Sequence, residues 1–381
     1  MGILIEPTLN CNLNCTYCYE HGKRDGNYDY DIEKVLATVD TLYNNENRNL
    51  VLHGGEPLYM GHDDMRIILK HMHKLAGKSG IQTNGVLIDD EYIKMFKEYK
   101  TYVSISIDGD YPLNKFRCNK DTTDTILKNI DRLREEEMPC GLLIMVHKAN
   151  AGNDKLLTQL IDFVEKMDSK GISGRLNLIY SEKTFSECML SADRAKTVYI
   201  TLAKALTDKR IAYKWSPFKD IANNLMGKKD VVCIFNKCDK YHTNSALIIL
   251  GDGTLTNCLK GPKYVRHPEN LTVRHEILSK LSIKDGGCKE CRYLYNCNGG
   301  CSNTTIDWRY RDYFCDVHYS LFEHFEKQMI AIGLEPIIGK KIEKDSNCHN
   351  KDGELQHGNQ HGDQHGDHSD CNNKHNNRQH T

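Results

Sequence analysis

Short apolar runs alternate with longer segments of helical spacing through the first part of the chain. The runs ILIEP (3–7), NLVLHGG (49–55), GIQTNG (80–85), YVSISIDG (102–109), CGLLIMVHK (140–148) and GRLNLIY (174–180) read as strands. Between them, 31–43, 65–75, 91–99, 123–136 and 154–167 carry apolar residues at helical period, and a further helix follows around 191–207. These strand–helix units predict a parallel α/β sheet or an incomplete barrel. Functional groups in such folds gather at the C-terminal ends of strands. The stretches CNLNCTYC, HGGEP and IDG all fall there.

Beyond this the pattern weakens. Residues 208–232 read as a connector with some helix. Residues 233–315 hold eight of the sixteen cysteines and little periodicity, so ligands rather than a large core are expected to hold them. Residues 316–332 predict a closing helix. From about 343 the chain is polar and poor in aromatics, with a small repeat in HGNQHGDQHGDH (357–368), and reads as a disordered tail. Histidine-rich tracts can bind metal, but a solvated low-complexity tail is the plainer reading. The expected domains are therefore 1–207, a connector at 208–232, a cysteine-rich domain at 233–320, a C-terminal helix and cap at 321–342, and the tail at 343–381.

Composition narrows the class. A formal net charge of −1 gives no field directed at nucleic acid or an anionic membrane. No apolar run reaches the roughly 20 residues of a membrane helix, and the start MGILIEPTLN lacks the basic and apolar regions of a signal peptide. A cytoplasmic protein is expected. Sixteen cysteines under reducing conditions argue for metal or cluster ligation rather than disulfides.

Cys11, Cys15 and Cys18 supply three thiols in CNLNCTYC. Structural zinc takes four ligands, so a zinc knuckle would need His21 or a distant group as its fourth. A 4Fe–4S cubane also takes four, one per iron. Three cysteines suit a cubane with one iron left open for a small molecule. The stretch alone leaves both readings standing.

CNLNCTYC followed by Gly54–Gly55–Glu56–Pro57 resembles the CX3CX2C loop and GGEP element of radical S-adenosylmethionine (SAM) enzymes. The resemblance implies a partial (β/α)6 TIM-like barrel. It implies that Cys11, Cys15 and Cys18 hold a 4Fe–4S cluster whose open iron is chelated by SAM. Reductive cleavage of SAM then gives a 5′-deoxyadenosyl radical. Gly54 and Gly55 would let backbone approach the methionine moiety, and Glu56 would offer a carboxylate to its amine. Ser106 and Asp108 alternate along one strand and would face one side, near the ribose and methionine. Tyr17 and Tyr19 would lie near the adenine, and Arg117 near the SAM carboxylate.

Downstream, CKECRYLYNCNGGC contains Cys288, Cys291, Cys297 and Cys301, with Cys315 following, and Cys238 precedes a GX4C element ending in Cys258. This resembles the SPASM extension of radical SAM enzymes, and Cys233 supplies an eighth thiol. The resemblance implies two auxiliary 4Fe–4S clusters. Cys233, Cys238, Cys258 and Cys301 would hold the first, and Cys288, Cys291, Cys297 and Cys315 the second. A pair of zinc ribbons is the alternative. Cys140 reads as an ordinary buried thiol, and Cys118 as a plain thiol near the site.

SPASM enzymes mostly modify peptides or proteins. Modification of a ribosomally made peptide, by thioether or carbon–carbon crosslink or by epimerisation, is expected first. Anaerobic sulfatase maturation, in which Cys or Ser becomes formylglycine, is the alternative. QTNG (82–85) favours the maturases, but they commonly carry Asp where Leu259 stands here. A small-molecule or nucleoside substrate is a further alternative. Reduced flavodoxin or ferredoxin would supply electrons. The cluster loop begins at residue 11, so a leader peptide would be bound by the core, the tail region or a separate protein. Tyr180, Lys260 and Cys118 are the unranked candidates for a base.

Overall fold

Eight strands form one sheet in the order β6-β5-β4-β3-β2-β1-β7-β8. In this computed structural model the described residues are 2–20, 29–45, 49–179, 187–228, 232–236, 238–239, 247–256, 258, 273–305 and 307–339. The strand–helix alternation runs β1 (Ile3–Glu6), α1 (Ile32–Asn45), β2 (Leu50–Leu52), α2 (His62–Ala76), β3 (Ser79–Thr83), α3 (Asp90–Glu98), β4 (Thr101–Ser106), α4 (Lys120–Glu135) and β5 (Cys140–Val146). It continues with the one-turn α5 (Lys148–Ala151), α6 (Asp154–Ser169), β6 (Ser173–Leu178) and α7 (Ala192–Asp208). β1 to β6 pair in parallel with their sequence neighbours, as strand–helix–strand crossovers demand. The sheet stays open at β6 and β8, which makes it a partial barrel.

The helices begin where polar caps allow. Asp89, Asn119, Asn153 and Ser191 each accept a backbone N–H in the first turn of α3, α4, α6 and α7. One sheet face then fills the main core. Ile3, Ile5, Leu52, Ile81, Val103, Ile105 and Ile144 are fully or almost fully buried in one cluster with the helices. The opposite face, by alternation, carries Leu4, Val51, Gln82, Ser104, Ser106, Leu143, Met145, Arg175 and Asn177, all half-buried. A closed barrel would pack this face with branched apolar side chains. Its mixed, polar character marks it as the ligand-facing side.

The cysteine-rich segment departs from expectation. β7 (Leu247–Leu250) joins the main sheet, pairing in parallel with β1, and β8 (Leu255–Thr256) turns back antiparallel to it. β7 is buried along its whole length. An apolar run buried on both faces has no alternation to betray it, so the sequence pattern missed it. After the connector's α8 (Phe218–Leu225) come α9 (Arg274–Lys280), α10 (Leu294–Cys297) and α11 (Cys315–Ala331). α11 packs on α7 and α8, so the last helix closes over the barrel's outer layer. Residues Met1–Lys341 form one compact unit. The second unit, Ile342–Thr381, lies outside the described residues, and the histidine-rich tail with it.

Membership of β7 in the sheet is testable. Ile249 is fully buried, so Ile249→Ala should cost about 2–5 kcal/mol in the unfolding transition that also reports on Leu52→Ala. A barrel transition unmoved by Ile249→Ala would mean that the two segments fold separately.

Candidate active site

The exits of β1 and β2 are clasped by backbone. The Gly55 amide donates to Thr8 O (3.0 Å) and the Glu56 amide to Asn10 O (2.8 Å). A Cβ on Gly55 would lie 2.2 Å from Leu9 O and 2.4 Å from Asn10 O; one on Gly54, at φ +136°, would lie 2.5 Å from Thr8 O. The resemblance gave these glycines to the methionine of SAM. Here the backbone they admit is that of residues 8–10, at the root of the cysteine loop.

Glu56 is likewise turned inward. Its fully buried carboxylate accepts from the Leu58 amide (3.0 Å), the Thr83 hydroxyl (2.7 Å) and the Asn84 amide (2.6 Å). It caps the 3-10 turn Pro57–Met60, whose first residue is the buried Pro57. Burial raises its carboxyl pKa against the pull of these donors. Asn84 passes the restraint on: its Nδ2 donates to Asn12 Oδ1 (2.7 Å) and reaches Cys11 Sγ at 3.8 Å. Glu56 therefore positions the cysteine loop through QTNG, with its carboxylate occupied by protein donors rather than offered to an amine.

Asp108 is the second anchor. It lies past the end of β4, fully buried, whereas Ser106 stays half-buried on the concave face. The Tyr17 hydroxyl and His147 Nε2 (3.2 Å) meet Oδ2; Arg117 Nη2 (3.2 Å) and the Met145 amide (2.8 Å) donate to Oδ1. Burial pushes the carboxyl up, but Arg117, His147 and Tyr17 overcome it and hold Asp108 well below the usual carboxylate range. Asp108 and Arg117, expected at the ribose and the SAM carboxylate, are given to each other and to Tyr17. The guanidinium also stands 5.5 Å from the Tyr17 ring centroid. Tyr17, expected near adenine, is thereby fixed beside the cysteines, and the Thr16 amide adds a bond to Phe116 O (2.8 Å).

The three loop thiols share one electrostatic environment. Burial pushes the Cys15 thiol up to about 12, with Cys18, Asp108 and Cys11 adding and Arg117 opposing. Cys188 packs in the same small apolar cluster, but the charges acting on it are Glu187 and Lys148. Cys118 Sγ is engaged by Asn114 Nδ2 (3.3 Å) and Thr123 Oγ1 (3.5 Å), which makes it a satisfied thiol. Among the described residues, no three His, Cys, Asp or Glu side chains converge as a single metal ion requires. One ion draws thiolates to about 2.3 Å from a common centre. A cubane offers each thiolate its own iron and spreads them apart. His21 lies outside the described residues.

The downstream cysteines gather in two groups. The Cys238 thiol is raised by its hydrogen bond with Cys233 and by burial, with Cys301 and Cys258 adding. Cys297 is raised by burial, then by Cys315, Cys288 and Cys291. The loop Asn298–Cys301 joins the groups. Arg274, buried, donates to the carbonyls of Asn298, Gly299, Gly300, Trp308 and Tyr310. Asp312 accepts from the Cys301 amide (2.8 Å) and the Phe314 amide (2.7 Å). Asn303 Nδ2 donates to Cys258 Sγ at 3.1 Å. Burial raises the Tyr19 hydroxyl, and Glu20, Glu6, Cys18 and Cys258 add to the shift. Leu259, Lys260 and Tyr180 lie outside the described residues.

The concave face completes the site. Glu6 pairs with Leu250, and Gln82 with Ser104. The registers Ile5 to Leu52 and Leu52 to Ile81 bring His53 between Glu6 and Gln82. Sequence reading missed His53, Asn84, His147, Arg274 and Asp312 as site residues. His53 was legible as the residue before Gly54 at a strand end; Arg274 and Asp312 carry no motif.

An open α/β barrel with a three-thiol loop at its strand ends defines a cofactor-dependent enzyme class. Residues 5–157 match the family model of the Radical SAM superfamily. Residues 5–157 thus form a radical SAM domain, which marks the chain as an enzyme and implies SAM and a 4Fe–4S cluster as cofactors. Curated relatives include the cysteine-type anaerobic sulfatase-maturating enzyme of Clostridium perfringens (strain 13 / Type A), 22% identical over 371 residues that cover 87% of this chain and 98% of that protein. Among solved structures, native anSMEcpe with bound AdoMet and Cp18Cys peptide superposes with a TM-score of 0.69 at 20% identity, covering 87% of this chain and 98% of that one. Streptococcus suis SuiB bound to S-adenosylmethionine gives 0.60 at 16%, covering 82% and 76%. At these identities the structural likenesses show the fold. Among the described residues no helix is long and apolar enough to cross a membrane.

The Asp108 anchor predicts an acid-sensitive fold. A carboxyl held below its unfolded pKa of about 3.9 stabilises the protein above that value, and the contribution is lost as pH falls through the folded one. The wild-type melting temperature should therefore fall below about pH 4, and more steeply than that of Asp108→Asn. Parallel curves would remove Asp108 as the anchor.

Proposed function

We propose that the chain oxidises a residue of a peptide or protein by radical SAM chemistry, and that the substrate is a ribosomally made peptide in which a new bond is formed. The observation that carries the reading is the three-thiol loop held beside an open, polar barrel face. Cys11, Cys15 and Cys18 hold the cluster that SAM chelates. Ser106 and the concave face receive SAM and the reacting residue. SAM, once cleaved, supplies the radical that takes a hydrogen atom from the substrate.

The two downstream groups hold auxiliary 4Fe–4S clusters, Cys233, Cys238, Cys258 and Cys301 the first, Cys288, Cys291, Cys297 and Cys315 the second. Residues 233–320 thereby form the auxiliary-cluster region. A cluster held by these cysteines would supply the acceptor for the second electron of the oxidation. A flavodoxin or ferredoxin feeds the enzyme, and a separate protein is one way of presenting a leader peptide. A peptide or protein substrate is supported by the likeness to maturating enzymes over 98% of their length, and by the peptide named in the anSMEcpe structure. That likeness also supports formylglycine formation in a sulfatase as the second reading. Leu259, where the maturases commonly carry Asp, favours the first.

The test separates cleavage from product. After anaerobic reconstitution, Cys11→Ala should abolish 5′-deoxyadenosine formation. Cys288→Ala should retain some of it and lose peptide product. Both are read by chromatography with mass detection. Turnover in Cys11→Ala would overturn the cluster assignment.

A further inference from the structure

The oxidation just proposed releases a proton as well as an electron, and the candidates for receiving it thin out at the site. Cys118 is tied to Asn114 and Thr123. Glu56 and Asp108 are filled by backbone and side-chain donors. His147 has both ring nitrogens engaged, Nε2 with Asp108 and Nδ1 with the Ala149 amide (3.2 Å).

His53 is different. Its amide donates to Ile5 O (2.8 Å), which extends the β1–β2 ladder by one residue. The side chain therefore falls on the concave face with Val51, in the row Leu250–Glu6–His53–Gln82–Ser104. Its Nδ1 is buried and has no hydrogen-bond partner among the described residues. A buried, unpaired ring nitrogen is costly, and such exceptions call for a ligand or a catalytic role. Burial alone pushes the imidazole down to about 4, so it is neutral near physiological pH, with one ring nitrogen carrying no proton. Glu6, on β1, is the charged neighbour in the row; a Cβ on Gly54 would lie 3.3 Å from its Cγ. Tyr19, from the cysteine loop, is acted on by Glu6 and by Cys258.

We propose that His53 is the proton acceptor of the substrate oxidation, a role that rests on the peptide-oxidation reading. The substrate C–H bond breaks by hydrogen-atom transfer to the 5′-deoxyadenosyl radical. The carbon radical then bonds to a heteroatom of the same substrate as that heteroatom's bond to hydrogen breaks. The proton passes to His53, and the remaining electron passes to an oxidised auxiliary 4Fe–4S cluster. Atoms and electrons balance, with SAM and the auxiliary cluster as the oxidants.

The test uses the full-length reconstituted enzyme with SAM, dithionite and the short peptide encoded beside its gene. Wild type, His53→Ala and His53→Gln are compared for 5′-deoxyadenosine and for peptide product. Gln keeps the hydrogen-bonding shape of the side chain but cannot take a proton. Both variants should still form 5′-deoxyadenosine, which shows that they fold and load the cluster. Both should lose product about a hundredfold or more, and added imidazole should restore part of it in His53→Ala. Product retained in His53→Gln would overturn the proposal. So would parallel loss of 5′-deoxyadenosine, because His53 would then be a SAM contact. Wild-type enzyme that cleaves SAM yet leaves the peptide unchanged would instead overturn the peptide reading, and His53 as its base with it.

Discussion

One buried carboxylate holds the cysteine loop to the barrel. Asp108 gathers Tyr17 from the loop, Arg117 from the segment before α4, and Met145 and His147 from the end of β5. A buried charge is tolerated only when partners satisfy it, and removing one partner strands the others. The network therefore behaves as a unit. It sets the rotation of Tyr17, and through the chain it sets Cys15 and Cys18 on either side. The backbone clasp between 54–56 and 8–10 fixes the other end of the same loop. Together they determine where a cluster sits before any cofactor arrives.

The electrostatics bear on the state of the thiols. Burial holds the Cys15 and Cys315 thiols up to about 12. Such thiols stay protonated at neutral pH unless a cation displaces the proton. A metal or cluster bound there would release protons and stabilise the fold at once. The two downstream groups share the Asn298–Cys301 loop, braced by Arg274 and Asp312, so ordering one cysteine group orders the other.

Much of this was legible in the sequence because its signals are local. Six strand–helix units follow from periodicity, and their ends fall within a few residues of the structural ones. CNLNCTYC and GGEP announce themselves by spacing. β7 did not, because a four-residue run buried on both faces has no period. The roles of Gly54, Gly55, Glu56, Asp108 and Arg117 were read as contacts to a cofactor. The structure adds a supporting role that spacing did not announce: these residues hold the loop through close backbone contacts and buried charges. Such support is non-local: Glu56 with Asn84, Asp108 with His147, Arg274 with Gly300. No spacing rule links residues that far apart. His53 sat in plain view before GGEP, but only the register beside Glu6 and Gln82 gives it a place on the concave face.

The central claim is that the loop at Cys11, Cys15 and Cys18 presents a cluster with an iron open to SAM. The most direct measurement is electron paramagnetic resonance of the reduced, reconstituted protein during titration with SAM. The account predicts that the signal of one cluster shifts as SAM chelates its iron, while the signals of other clusters stay fixed, and that the shift vanishes in Cys15→Ala. A spectrum indifferent to SAM, in a protein with its full iron content, would contradict it.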